Sequence, residues 1–453
     1  MGDKLACFKA YDIRGRVPQD LNDDMAYKLG RAYVSEIEPH GPVAVGRDIR
    51  LSSEDLAQAL IRGINDGGAD TRDIGLCGTE MVYFAASRSG MGGGIMVTAS
   101  HNPMEYNGFK LVREKAIPIS GDSGLQVLER RVRENDIGER APSPGRTKSE
   151  DVTQAYVQKL LSFTTPDKLK PLKLVVNAGN GCAGPILDAL AHHLPFEFIR
   201  LQHKPDGTFP NGIPNPLLEE NRPVTANAVT ETNADLGIAW DGDFDRCFFF
   251  DETGSFVDGY YIVGLLAKRM LEAAHGAVVI HDPRMTWNTI DIVKQAGGIP
   301  MQGKTGHAFM KERMRKENAV YGGEMSAHHY FRDFAYCDSG MIPWLVITLL
   351  MSETEKPLSE LVLERKQKYP GSGEINSRVD DANTVIDRIR AHYADQATSR
   401  NEVDGLSMEF DHTWRFNVRP SQTEPILRLN VETKEDPQLL KQKTDELLRL
   451  IRG

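Results

Sequence analysis

No stretch of this 453-residue chain is apolar for long enough to suggest a membrane span. The longest apolar run, Met341 to Met351, contains Pro343 and falls far short of the roughly 20 residues a span needs, so it reads as a buried helix. Positive charge is not in excess. The formal net charge of −10 speaks against nucleic acid or an anionic membrane as partner, since both favour a basic face. A phosphorylated substrate stays open, because a local basic pocket can sit in an acidic protein. Cysteine is scarce and unpatterned: Cys7, Cys77, Cys182, Cys247 and Cys337 form no CxxC pair. Such a set suggests reduced thiols in the cytoplasm, most of them small core residues. No apolar run precedes Leu5-Ala6-Cys7, which argues against a secretory signal, and Ala6 stands where myristoylation needs Ser or Thr. What is present is 40% hydrophobic and 26% charged, an ordinary globular balance, with length for roughly three domains.

The stretch around which the chain is organised is Thr98-Ala99-Ser100-His101-Asn102-Pro103. Gly92-Gly93-Gly94 leads into the apolar Ile95-Met96-Val97, which reads as a buried strand ending in a tight loop. Pro103 disfavours helix at Asn102. Ser100 is then a hydroxyl at the carboxyl end of a strand, where α/β sheets place their ligands. The plain alternative is a polar loop, since Ser, His, Asn and Pro are ordinary turn residues. Before it, Asn22-Asp23-Asp24 opens a helix with Met25, Leu29, Tyr33 and Ile37 on one face, Pro42 to Gly46 is a strand, and Ser52 or Ser53 caps a helix facing inward through Leu56, Leu60 and Ile64. Asn107-Gly108-Phe109-Lys110 reads as a turn that aims Lys110 back at the serine. This alternation favours a mixed or parallel α/β sheet. A Pro-rich polar stretch from Gly138 to Ser149 marks a boundary.

A second unit begins with the strand Leu172 to Val176 and runs into Asn177-Ala178-Gly179-Asn180-Gly181-Cys182-Ala183-Gly184. This matches G-x-G-x-x-G literally, but no acidic residue ends a second strand at the distance a dinucleotide site needs. A tight strand-to-helix turn is the competing reading. A long loop spans Pro205 to Pro216. The strand Asp235 to Trp240 then ends in Asp241-Gly242-Asp243-Phe244-Asp245-Arg246. Carboxylates at every second residue of an extended segment share a face, and three oxygens with net negative charge suit a hard divalent cation. An EF-hand is excluded, because Arg246 stands where its loop needs Gly and Phe248-Phe249-Phe250 reads as strand. A solvated acidic turn is the remaining alternative, although the aspartates would repel one another without a cation.

Further on, Asp251 to Gly254 is a hairpin turn, and Ile262, Leu265, Leu266 and Met270 face inward from a helix. Ala277 to Ile280 is a strand. Lys304-Thr305-Gly306-His307 leads into a basic helix whose Lys311, Arg313, Arg315 and Lys316 read as a wet face. Ala319-Val320-Tyr321 is a strand running into Gly322-Gly323-Glu324-Met325-Ser326-Ala327-His328-His329. Adjacent histidines point to opposite faces, and no regular spacing of further ligands suggests zinc. Glu324 and Ser326 share a face, and a carboxylate accepting from a pair of hydroxyls fits a hexose. Last, the strand Trp414 to Val418, the loop Arg419-Pro420-Ser421-Gln422-Thr423-Glu424-Pro425 and the strand Ile426 to Val431 offer an arginine, hydroxyls and amides for a phosphate, or simply a turn. Asp436 caps the final helix, with Pro437 in its first turn.

These stretches together resemble the phosphohexomutases, the phosphomannomutase and phosphoglucomutase superfamily, from Tyr11 to the last helix. Ser100-His101-Asn102 is similar to that family's active-site serine motif, and Asp241 to Arg246 to its metal loop. The resemblance implies three related mixed α/β domains (1–148, 149–253 and 254–367) and a smaller C-terminal α+β domain (368–453) around a central cleft. It implies that Ser100 is the phosphoserine, that Asp241, Asp243 and Asp245 hold Mg²⁺ with Ser100 completing the set, and that Arg246 is the basic residue beside the metal. Lys110, His101 and His307 are its candidates for proton transfer. Tyr11, Arg14, Lys304, Glu324, Ser326 and His328 would meet the sugar. Arg419, Ser421, Gln422 and Thr423 would grip the phosphate that is not reacting, although Gln422 stands where many relatives carry Asn. The stretch from Gly322 to Trp344 looks like bacterial phosphomannomutases that supply GDP-mannose for surface polysaccharide. The function implied is reversible conversion of mannose 6-phosphate and mannose 1-phosphate, with a phosphoglucomutase or dual-specificity enzyme as the alternative. A hexose phosphate would be the substrate, a hexose 1,6-bisphosphate the activator, the state a monomer or homodimer, and the compartment the cytoplasm. A nucleotide-dependent oxidoreductase and a non-catalytic sugar-phosphate binder are the rivals from other classes.

Overall fold

The run Ile95-Met96-Val97 ends a strand, Gly93–Val97, every residue of which is buried. This is seen in a computed structural model that describes residues 4–421 and 426–453. The strand belongs to a sheet ordered Ile13–Arg16, Tyr106–Arg113, Gly93–Val97, Val43–Arg47, Thr71–Leu76, Thr147–Ser149. Its central strands are parallel, while Tyr106–Arg113 runs antiparallel to both its neighbours, so the sheet is mixed as expected. The helix Asp23–Ile37 starts where Asn22 accepts from Met25 N, and buries Met25, Leu29 and Tyr33. The helix Ser53–Asp66 buries Leu56, Leu60 and Ile64, worth about 1.5–3 kcal/mol each. Neither serine caps it through its side chain in the expected way. Ser52 stands at the N-cap, but its hydroxyl accepts from Asn107 Nδ2 at 2.8 Å and makes no capping bond, and the Ser53 hydroxyl donates to the buried carboxylate of Asp48. Asn107 to Lys110 is not a turn but part of the strand Tyr106–Arg113, with Asn107 and Gly108 paired to Gly15 and Arg14 and with Phe109 and Lys110 paired to Val97 and Met96. The polar stretch after Gly138 ends in the edge strand Thr147–Ser149.

The second sheet sets Lys173–Asn177 parallel to Glu197–Leu201 and Leu236–Trp240, with Cys247–Phe250 folding back antiparallel on the latter. The expected hairpin turn closes as Gly254 N donates to Asp251 O at 2.8 Å. The helix Met341–Thr354 is buried on nearly all sides, as read from its composition. Pro343 is its third residue, where no intrahelical N–H bond is lost.

The chain packs as two units: Met1–Phe256 with Gly306–Arg315 and Ala327–Glu355, and Val257–Thr305 with Lys316–Ser326 and Lys356–Gly453. The first holds both sheets above and the antiparallel pair His329–Phe331 and Cys337–Asp338. In the second, Val278–His281 lies between Ile299–Gln302 and Tyr321–Gly323, all parallel, beside the helix Gly259–Glu272. Ile262, Leu265 and Leu266 of that helix are buried and Met270 is half-buried. The third strand starts two residues later than expected, at Tyr321. A last sheet, ordered Ile375–Arg378, Ile426–Thr433, Trp414–Pro420, Leu406–Phe410, Ser399–Asn401, is wholly antiparallel. Trp414, Phe416, Val418, Leu427, Leu429 and Val431 fill its core against the helices Ala382–Tyr393 and Pro437–Arg452. Asp436 accepts from Leu439 N and Pro437 opens the last helix, as expected. The fold is thus α/β with mixed sheets and a smaller C-terminal α+β region. All five cysteines are buried and unpaired.

Candidate active site

Ser100 adopts a left-handed conformation, φ 49°, a strain of order 1 kcal/mol for a non-glycine residue. Two sets of bonds hold it there. Its N–H donates to Thr98 Oγ1 at 2.8 Å, and Thr98 donates on to Asp48 Oδ2 at 2.7 Å. Arg50 donates to four carbonyls of the loop: Ser100 at 2.9 Å, Asn102 at 2.7 Å, Pro103 at 2.8 Å and Tyr106 at 3.0 Å. Arg14 adds bonds to Ala99 O at 3.1 Å and to the Asn102 side chain, while its Nε donates to Asp12 at 2.7 Å.

The Ser100 hydroxyl donates to Asp241 Oδ2 at 2.8 Å and lies 3.0 Å from His101 Nδ1. Oxygens of Asp241, Asp243 and Asp245 fall within 4.8 Å of one another, and all three residues are buried. They converge, but not by extended alternation. Phe244 turns the chain at φ 44°, and its ring packs where a Cβ on Gly78 would lie 2.2 Å away. Thr79 braces the turn, its N–H bonding Asp243 O at 3.1 Å and its hydroxyl Asp243 Oδ2 at 2.5 Å. The glycines of the Gly179 stretch have a packing reason. A Cβ on Gly181 would meet Gly242 O at 2.6 Å, and one on Gly184 would meet His203 O at 2.0 Å. That turn therefore presses against the aspartate loop, and its resemblance to a dinucleotide fingerprint follows from close packing.

Lys110 does not point at the serine. Its Nζ lies 2.7 Å from Asp243 Oδ2 and 2.5 Å from Asp245 Oδ2. Burial disfavours its charge, but the two aspartates raise its pKa above the ordinary value. Arg246 approaches Asp241 Oδ2 through Nε at 2.9 Å and Nη2 at 2.7 Å, and also donates to His101 Nδ1. Burial favours the neutral acid at Asp243, yet Lys110 and Thr79 hold its pKa well below the usual carboxylate range. Burial and the neighbouring Asp243 push Asp245 well above it. Asp243 Oδ1 and Asp245 Oδ1 are buried with no hydrogen-bond partner among the described residues. A divalent cation between these oxygens would satisfy both and relieve the repulsion, so the donor set fits one.

His101 is half-buried, and desolvation with Arg246 and Arg14 beside it holds its pKa well below 6.5; it is a neutral ring. His307 opens the helix His307–Glu317 edge-on to the ring of Tyr11 at 4.9 Å. Both its ring nitrogens are buried without a hydrogen-bond partner among the described residues, and burial with nearby Lys311, Lys110 and Arg14 keeps it neutral. Lys311, expected on a wet face, is fully buried. Its Nζ sits 2.7 Å from Asp338 Oδ1 and 3.8 Å from the Tyr83 ring centre. His328 Nε2 lies 3.7 Å from Asp245 Oδ1, and the ligand atoms of Asp245, His328 and Asp338 converge within 4.8 Å. The histidine pair thus has acidic company that its spacing did not reveal, although Lys311 already supplies a cation there.

In the second unit, Glu324 and Ser326 both meet Arg284. Its Nη2 is 3.7 Å from Glu324 Oε2 and donates to Ser326 Oγ at 3.2 Å, while Asp282 holds the same guanidinium at 2.7 Å. Arg419 pairs with Glu374 at 3.2 Å, and Ser421 N donates to Ile426 O at 2.9 Å. Lys304 is exposed just beyond the strand Ile299–Gln302. Gln422 and Thr423 lie outside the described residues. Sequence reasoning missed Asp48 and Arg50, Lys311 with Asp338, and Arg284 with Glu374 and Arg428. No local pattern marks an arginine that acts on carbonyls 50 or more positions away; only the polar cluster Arg47 to Ser53 directly after a strand hints at it.

No helix among the described residues is long and apolar enough to cross a membrane. Profiles described as phosphoglucomutase/phosphomannomutase α/β/α domains I, II and III match residues 6–137, 154–254 and 258–369, and one for the C-terminal domain matches 374–449. A protein named "Phosphohexose mutases" from Xanthomonas campestris pv. campestris (strain B100) is 58% identical, over 99% of this chain and 100% of its own length. The phosphomannomutase of Escherichia coli (strain K12) is 54% identical, over 99% of each chain. The solved structure of a phosphoglucomutase/phosphomannomutase family protein from Burkholderia thailandensis superposes with a TM-score of 0.88 at 33% identity, covering 99% of this chain and 97% of that one. With a serine hydroxyl on an aspartate cluster between two strand ends, and likeness running from one end of the chain to the other, the chain belongs to the phosphoglucomutase/phosphomannomutase family.

Proposed function

We propose that the protein is a phosphomannomutase that interconverts mannose 6-phosphate and mannose 1-phosphate through a phosphoryl group carried on Ser100. The observation that carries this is the Ser100 hydroxyl 2.8 Å from Asp241, inside a buried three-aspartate cluster. Mg²⁺ held by Asp241, Asp243, Asp245 and Ser100 would offset phosphoryl charge. Phosphoryl transfer asks the protein for placement and charge neutralisation more than covalent help. Arg246 and Lys110 supply fixed positive charge, and Arg50 with Thr98 fixes the hydroxyl. Lys110, committed to two aspartates, keeps its proton, and His101 accepts from Arg246. We therefore assign acceptance of the sugar proton to the neutral ring of His307.

Glu324, Ser326 and His328 would read the sugar, with Tyr11, Arg14 and Lys304 beside it, and Arg419 with residues 421–423 would hold the second phosphate. A hexose 1,6-bisphosphate would prime the serine, and mannose 1-phosphate would pass to nucleotide-sugar synthesis in the cytoplasm. The "Phosphohexose mutases" name of a 58% identical relative favours a second reading, a dual mannose and glucose specificity. A coupled assay comparing mannose 1-phosphate with glucose 1-phosphate, together with transfer of labelled substrate phosphate onto Ser100, tests both. Turnover of neither sugar, or label absent from Ser100, would reject the assignment.

A further inference from the structure

Glu374 stands where three guanidinium groups of the second unit converge. Its Oε2 lies 3.3 Å from Arg284 Nη1 and 3.2 Å from Arg419 Nη2, and its Oε1 lies 3.4 Å from Arg428 Nη1. The place is built, since Arg284 is 2% and Arg419 9% exposed. Arg419 Nε and Arg428 Nε are buried donors without an acceptor among the described residues, an unfavourable state when nothing answers it. Other acids face the same groups: Asp282 and Glu324 on Arg284, and Asp404 at 3.9 Å from Arg419. A carboxylate thus already occupies the face these arginines share, and a phosphate oxygen pair makes the same demand on guanidinium forks.

We propose that Glu374 is an internal competitor for the substrate phosphate, a positioning residue that keeps the clamp at Arg419 weak enough to let go. This rests on reading the loop at Arg419 as the grip on the unreacting phosphate. In a mutase of this kind the sugar bisphosphate must leave that grip, turn and re-enter it by its other phosphate in every turnover. A clamp that held ground state and intermediate more tightly would lower KM and slow that turn. Sharing the arginines with Glu374 offsets part of the attraction without removing the donors.

The test is steady-state kinetics with mannose 1-phosphate at saturating hexose 1,6-bisphosphate, and inhibition by inorganic phosphate. Glu374→Gln keeps the shape and removes the charge. It should lower KM and the phosphate inhibition constant about tenfold while kcat falls severalfold. A carboxylate that merely braced the arginines would show the reverse, a raised KM, and an unchanged or raised KM overturns the proposal. Glu374→Asp should stay close to the unsubstituted enzyme. The rise in melting temperature on adding inorganic phosphate, measured for each variant from its own ligand-free midpoint, gives the same answer if Glu374→Gln is less stable. Arg419→Ala separates the two claims. An unchanged KM there removes the clamp reading itself; a raised KM there, with Glu374→Gln unaltered, removes only the competitor.

Discussion

The serine site of the first unit and the arginine cluster of the second solve opposite problems with the same groups. At the serine site, carboxylates outnumber what surrounds them, and burial sets their state. Asp245 is pushed up, Asp243 is held down by Lys110, and the backbone of the strained serine is tied by Arg50 and, through Thr98, by Asp48. In the arginine cluster, one carboxylate serves three guanidiniums that reach it from separate segments, and Arg428 stays 27% exposed in its side chain. Fixed placement suits a group that must react in line. Shared, exchangeable pairing suits a group that must bind and release. The difference teaches that buried charge here follows what each place must do. It is fixed by several partners around Ser100 and shared among three guanidiniums at Glu374.

That contrast can be broken, most severely at the serine. Ser100→Ala should lower kcat at least about 10³-fold with the melting temperature kept, and turnover left intact would end the account of the first site. Next is its scaffold. Arg50→Met strips donors from four loop carbonyls, which should lower kcat about 10²-fold with little change in KM. A change in KM alone would mean that Arg50 serves binding and not the placement of the hydroxyl. Then the hidden pair: Lys311→Met leaves Asp338 buried and unpaired, and should cost about 3–5 kcal/mol in denaturant unfolding, with Lys311→Met/Asp338→Leu recovering most of it. Equal loss in the double variant would show that packing, not charge, is lost.

The smallest and sharpest test is the slope of stability with pH, to which one carboxylate of each unit, Glu80 and Glu374, should contribute with opposite signs. Burial pushes the carboxyl of Glu80, which follows Thr79 and accepts from Ser339 at 3.0 Å, up to about 8 from 4.5. The folded state then binds its proton more tightly, so this group's contribution is complete below pH 4.5 and is lost as pH rises to about 8. At Glu374 burial acts the same way, but Arg284, Arg419 and Arg428 outweigh it and bring the pKa below 4.5. Its contribution is present above pH 4.5 and is lost as pH falls below it. Glu80→Gln should therefore flatten the alkaline limb and Glu374→Gln the acid limb of a plot of unfolding free energy against pH. The same limb changing in both variants would erase the distinction.

Much of this was legible in residue order. The strand before Ser100, the strand before Asp241, the helix opening at Asn22 to Asp24, the Asp436 cap and the buried helix at Met341 all follow from local periodicity and capping chemistry. The aspartate cluster was legible for a reason that proved incomplete, since it is the turn at Phe244 that gathers the oxygens. Lys311 misled because its helix is rich in charge and one buried acid, Asp338, claims one of its lysines. The glycines at 181 and 184 misled because close packing and phosphate binding ask for the same residue.

By itself the sequence determined that strands precede Ser100 and Asp241 and which chemical groups stand at their ends, because alternation, capping and turn chemistry act over a few residues. The tertiary structure alone decided which charges meet: Lys110 with two aspartates, Arg50 with the serine loop, and Glu374 with three arginines. Those partners lie tens to more than a hundred positions apart, and the attraction between buried charges depends on distance and burial in space, which no local pattern encodes.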